Sequence, residues 1–278
     1  MNRTAPWLAL AALTALSTGC EAEHMTKVEA LDALAQVNQS SRGEAATGEV
    51  IEVSTDVTIG DALQSAAERI AAFWESQAPC SEVTLEGAKL TVDYGTLDDA
   101  CTFDGHTYAG VNTVEVVDTE RGSLQVDHDW SGFTNGEVTV DGGATVTWTG
   151  EDASRRVVTE HTWSDSSGAV VDVVGDHVQG PLEEDAGWAG WLGGIRMDGT
   201  RDWSTEGETW SLDMTELELR WIDPAPQAGS LTVTNPDGKT LDVLYERVDE
   251  TTISATLIGL REDVVVHIGL LGTMEEVD

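Results

Sequence analysis

The chain has 278 residues, 40% of them hydrophobic, which is long enough to bury a core without metals and too apolar for a disordered protein. Its 51 acidic side chains against 14 Lys and Arg give a formal net charge of −37. That charge excludes nucleic acids and anionic lipid headgroups as partners, and leaves room for basic partners and weak divalent-cation binding.

Arg3 supplies a positive start, and Pro6 to Leu16 form an apolar run too short to span a bilayer as a helix. Residues 1–19 therefore read as a signal peptide. The sequence Leu16-Ser17-Thr18-Gly19-Cys20 resembles a lipobox, where a diacylglyceryl group joins the thiol and cleavage makes Cys20 the new N-terminus. Leu normally sits three residues before the cysteine; here Ser17 holds that place. An ordinary secretory signal with a cysteine nearby is the other reading, and both lead out of the cytoplasm. With Cys20 lipidated, Cys80 and Cys101 remain of three cysteines, and two cysteines in an oxidising compartment pair. Glu21 follows Cys20 where an inner-membrane retention signal carries Asp, which favours the outer membrane.

Residues 20–56 read as a lipidated tether with a short helix, and 57–278 as a helix plus an antiparallel β-domain. Lys27 to Asn38 place Val28, Leu31, Leu34 and Ala35 on one helical stripe. Ser40 to Gly48 read as a linker or loop, and Val50, Ile51 and Val53 as a brief extended piece. The strongest helix is Thr58 to Gln77, with Thr58 and Asp61 as a capping pair and a stripe of Leu63, Ala67, Ile70 and Phe73 or Trp74. Pro79 stops it.

From Ser81 the period changes to two, in about fourteen short runs. Asn135-Gly136, Asp141-Gly142-Gly143, Ser167-Gly168 and Asp237-Gly238 carry turn chemistry. Trp210, Leu212 and Met214 alternate on one parity, and Leu217, Leu219 and Trp221 on the other, which predicts a β-bulge or break near Thr215 and Glu216. Gly180 to Gly194 has no strand period and reads as the longest irregular loop of the β-region. Sequential hairpins imply a mainly β fold: a large antiparallel meander, twisted or curled into an open barrel, with a helix on one face. A two-sheet sandwich is the alternative.

Met25-Thr26-Lys27, Thr58-Ile59-Gly60-Asp61-Ala62 and Glu75-Ser76-Gln77-Ala78-Pro79-Cys80 resemble segments of uncharacterised lipoproteins of the myxobacterial type. So do Asp93-Tyr94-Gly95, Asp104-Gly105-His106-Thr107-Tyr108 and Asp223-Pro224-Ala225-Pro226-Gln227-Ala228-Gly229-Ser230. A looser likeness to hypothetical lipoproteins of the Bacteroidetes type covers the cysteine-flanked hairpin. The resemblance implies a lipid on Cys20 and a Cys80–Cys101 pair, and carries no catalytic residues.

Most of the 10 tryptophans fall at inward-parity strand positions, where core packing is the ordinary role and an aromatic ligand surface the sharper one. Trp188 and Trp191 sit on the Gly-rich loop as binding candidates, unless the loop folds back onto the sheet. His128/Trp130 and His161/Trp163 repeat the pattern His-x-Trp, which puts each pair on one face. If their strands are neighbours the histidines meet, with His177 as a third candidate ligand. The expectation is ordinary packing and no metal centre. Asp127 and Asp129 project opposite His128 and, with Asp141, Glu151 or Asp152, are candidates for weak Ca²⁺ binding, without EF-hand spacing. No Gly-x-Ser-x-Gly, P-loop or dinucleotide fingerprint occurs. The expected function is a non-catalytic envelope or surface lipoprotein without a cofactor, structural or binding a protein or glycan. A carrier of an apolar small molecule or lipid is the alternative. An open apolar cavity lined by Trp130, Trp148 or Trp163 favours the carrier, and a solid core of them the first role.

Overall fold

The computed structural model describes residues 24–58, 63–103, 106–118, 124–149, 154–183, 190–269 and 272–277. Two helices come first, α1 (Lys27–Thr58) and α2 (Leu63–Gln77). The strands are β1 (Glu82–Glu86), β2 (Lys89–Asp93), β3 (Cys101–Phe103), β4 (His106–Asp118), β5 (Leu124–Thr134), β6 (Val138–Thr149), β7 (Ser154–Asp165) and β8 (Val170–Pro181). Then come β9 (Gly194–Thr205), β10 (Glu208–Arg220), β11 (Ala228–Thr234), β12 (Thr240–Arg247), β13 (Thr252–Ile258), β14 (Val264–Gly269) and β15 (Met274–Val277). They form one 15-stranded antiparallel sheet in sequence order, with β2 and β3 both pairing with β4. The ends, β1 and β15, are not joined, so the meander is curled and open, and the two-sheet sandwich is excluded.

The period of two decides the faces. In β7, Arg155, Val157, Thr159, His161 and Trp163 point inward and are buried, while Arg156 and Glu160 are exposed. The fault expected in β10 is present: its register shifts between Met214 and Leu217 against β9, and Glu216 has φ +46°. The extra residue returns Leu217 to the buried face shared by Trp210, Leu212 and Met214. The turns at Asn135-Gly136, Ser167-Gly168 and Asp237-Gly238 fall between strands as expected.

Asp141-Gly142-Gly143, expected as a turn, lies inside β6 instead. Gly142 has φ +128°, and a Cβ there would stand 2.6 Å from His161 Cα on β7. Glycine answers here to a close approach of two strands rather than to a reversal of the chain.

The first helix differs most from expectation. Rather than stopping at Asn38, it runs through Ser40–Gly48 and the segment expected as extended, to Thr58. Thr58 is thus the last residue of α1 and not the cap of α2; Asp61 lies outside the described residues. A capping box opens α1: the Thr26 amide donates to Glu29 Oε2 (2.6 Å) and the Glu29 amide to Thr26 Oγ1 (3.2 Å). Its buried seam is made of small residues, Ala30, Ala33, Ser40, Gly43, Ala46 and Thr47, at helical spacing. Such a seam lets the backbone lie close to the tryptophan-lined sheet, and that packing outweighs the weak helix propensity of Ser and Gly. A Cβ on Gly43 would meet Trp163 Cδ1 at 2.6 Å and His161 Nε2 at 2.7 Å, whereas nothing lies within 4 Å of one on Gly48.

Two alanine substitutions in α1 should therefore have opposite signs. Gly48→Ala gains about 0.8–1 kcal/mol of helix propensity, while Gly43→Ala loses about 1–3 kcal/mol to overpacking. Urea unfolding checks this, and a stabilised Gly43→Ala protein would contradict the close approach.

In α2, Ala67, Ile70, Ala71 and Trp74 are buried, resolving the choice between Phe73 and Trp74. Trp74 meets Tyr94 edge-on at 6.0 Å where α2 covers β1, β2 and β4. Cys80, just past α2, is disulfide-bonded to Cys101 on β3, with Cα atoms 5.2 Å apart. Closing a loop of 21 residues stabilises the fold by about 3 kcal/mol in the chain-entropy model.

Candidate functional site

The middle of the concave face is polar. His128 on β5, His161 on β7 and His177 on β8 are buried, together with Arg155 on β7 and Arg201 on β9. The strands β5 and β7 are not neighbours, because β6 runs between them. Yet Trp130 and His161 still meet, edge-on at 6.4 Å. Gly142 holds the intervening register position and has no side chain to separate them. Gly175 and Gly199 open space in the same way: a Cβ on Gly175 would meet Thr159 Oγ1 at 2.6 Å, and one on Gly199 would meet His177 Cβ at 2.6 Å.

Helix α1 covers this polar middle. Glu44 forms a salt bridge with Arg201, whose Nη1 also donates to Ser41 Oγ at 2.7 Å. Arg42 lies 5.1 Å above the Trp163 ring and pairs with Asp165 at 2.5 Å. Desolvation lowers all three imidazoles, His128 to about 3 and His161 and His177 to about 4, and the nearby guanidinium charges push the same way. The histidines are therefore neutral near pH 7. Burial pushes the Glu44 carboxyl up, against the pull of Arg201.

Trp130, Trp148 and Trp163 are packed core residues, with Trp163 fully buried and Trp130 2% exposed. His128 stacks on Trp130 at 5.9 Å. Among the described residues no group of three or more His, Cys, Asp and Glu could hold a metal ion. Asp127, Asp129 and Asp141 line a groove on the opposite, solvent-facing side of β5–β8, with Glu160 and Asp172. There Thr145 Oγ1 donates to Asp127 (2.8 Å) and Thr162 Oγ1 to Asp172 (2.6 Å). Glu151 and Asp152 lie outside the described residues, as do Cys20 and Trp188.

Trp191 folds back onto the sheet. It meets Trp148 edge-on at 5.7 Å, with the Arg155 guanidinium 4.8 Å from its ring centroid. The Trp221 indole N–H donates to the Trp191 carbonyl at 2.7 Å.

The feature that sequence reasoning missed is apolar. A pocket of about 260 Å³ opens between the first turns of α1 and the inner face of β12–β15. Leu31 and Leu34 line one side, and Val243, Leu257, Val266 and Ile268 the other. At its rim Lys27 pairs with Glu276 at 2.7 Å. Burial pushes the phenol of Tyr245, on the pocket wall, up to about 12. The signal was the run Val264-Val265-Val266-His267-Ile268 combined with the Leu31 stripe; where α1 stops covering the sheet is a tertiary fact.

Among the described residues no helix is long and apolar enough to cross a membrane. No protein-family model, curated protein or solved structure matches this chain.

Proposed function

We propose that this chain is an exported envelope protein, tethered to a bacterial membrane by a lipid on Cys20, with a non-catalytic structural or macromolecule-binding role. The observation that carries the non-catalytic reading is the filling of the concave face. Trp130 and Trp163 are packed into the core and Trp148 is buried against Trp191 and Arg155, so none of the three lines a cleft. The histidines beside them are neutral, desolvated packing groups rather than groups aimed at a substrate. The reading of export rests on the leader sequence and is supported by the Cys80–Cys101 disulfide, which fits an oxidising compartment. The solvent-facing acids, part of a net charge of −37, suit a basic protein partner or glycan surface and repel anionic headgroups.

Growing the native host with an alkyne-bearing fatty acid tests the anchor. The wild-type chain should take up the label and sediment with membranes, and Cys20→Ala should lose the label. An unlabelled wild-type chain in the cytoplasmic fraction would overturn the reading.

The pocket beside α1 favours one further property, an affinity for acyl chains.

A further inference from the structure

We propose that the apolar pocket between α1 and β12–β15 receives an acyl chain carried by Cys20 of the same molecule. This deepens the anchor reading and rests on it. The pocket's walls are hydrocarbon: Leu31, Leu34, Val243, Leu257, Val266 and Ile268. Such a volume takes part of one acyl chain, not a whole lipid. Beside the Lys27–Glu276 pair its rim carries two exposed apolar side chains, Leu31 at 58% and Met274 at 76%, which are costly in water unless something covers them.

Reach and charge select the occupant. Met25 is pinned beside the pocket: its amide donates to the Gly259 carbonyl at 3.0 Å and it bridges to Leu260, a wall residue. Cys20 precedes Met25 by five residues, which span at most about 17 Å. A lipid there is therefore always within reach of the rim. A free fatty acid or an anionic phospholipid brings a negative headgroup to a protein of net charge −37, and a second copy brings another −37. The diacylglyceryl group of a lipidated cysteine brings no charge.

The consequence is a releasable anchor. One acyl chain alone gives marginal, reversible membrane binding, and stable anchoring takes two. Each methylene moved from bilayer to pocket weakens the grip by roughly fourfold. Stowing part of one chain thus leaves the protein held mainly by the other.

The test uses the lipidated protein from its host, labelled with a fatty acid carrying a terminal diazirine. Intact mass first establishes that Cys20 carries the label. After irradiation in neutral phosphatidylcholine vesicles, the Cys20 lipopeptide should be joined to peptides containing Leu31 or Val266, in a band of monomer mass. In Leu31→Trp these adducts should disappear, because the larger ring fills the pocket from a position already exposed to solvent. The same variant should exchange between vesicles at least about tenfold more slowly than wild type. Labelled Cys20 with adducts only to phospholipid, or only in cross-linked dimers, would overturn the pocket assignment and leave the anchor standing. A chain without lipid at Cys20 would overturn both.

Discussion

Replacing Arg201 with Met lowers the stability of the protein by about 3–5 kcal/mol, the usual cost of removing one partner from a buried ion pair. The side chain of Arg201 is 8% exposed and that of Glu44 20%, so neither end has bulk water to replace the other. The guanidinium also donates to Ser41 Oγ at 2.7 Å, and without it that hydroxyl and the carboxylate remain against the sheet. Removing both charges together is different. The double variant Arg201→Met/Glu44→Leu should recover most of the loss, since a packed apolar pair of similar volume carries no desolvation penalty. Urea titrations of the wild type, the single variants and the double variant measure the coupling directly. A single variant within 0.5 kcal/mol of wild type would mean that α1 is not held to β9 by this pair.

Acid should destabilise the protein before most of its surface carboxylates titrate. The folded pKa of His128 is about 3 and those of His161 and His177 about 4, all below the ordinary value of 6.5. Between pH 6.5 and 4 the unfolded chain therefore binds more protons than the folded one, so stability falls as pH falls through this window. Going from pH 7 to pH 5, each histidine contributes a loss of about 2 kcal/mol, or about 6 kcal/mol for the three. Glu44 acts in the opposite sense. Its raised folded pKa lets the native state take up a proton first, which adds stability as the pH drops. The self-repulsion of the acidic surface changes little above pH 5, where most carboxylates are still ionised. The net result is a loss of several kcal/mol over two pH units, measurable as a shift in urea midpoint. Equal midpoints at pH 7 and pH 5 would contradict the burial of the imidazoles.

Strand parity was legible wherever burial is one-sided. The change of parity between Met214 and Leu217 locates the bulge from the sequence, because a period of two tolerates no hidden insertion. The inward set of Val157, His161 and Trp163 was legible for the same reason. The second half of α1 was not. Its seam of Ser40, Gly43, Ala46 and Thr47 has no hydrophobic periodicity, and what it packs against, Trp163 and His161 on β7, comes more than a hundred residues later. Asp141-Gly142-Gly143 misled in a related way, since glycine serves both tight turns and close strand contacts, and only the neighbour at His161 distinguishes them. The pocket is not legible in the sequence because its walls come from the start of α1 and from β12–β15, more than two hundred residues apart. Its existence depends on how much of the sheet α1 leaves uncovered.

The disulfide and the packed tryptophans of the concave face suit the proposed setting outside the cytoplasm. The proposed anchor and pocket add a way for the protein to let go of a membrane.

The most direct measurement is the intact mass of the protein taken from its native host, before and after reduction. The account predicts a chain that begins at Cys20, carries a diacylglyceryl group there, and gains two hydrogens on reduction as the bond between Cys80 and Cys101 opens. A chain that keeps Met1, bears no lipid and has three free thiols would contradict it.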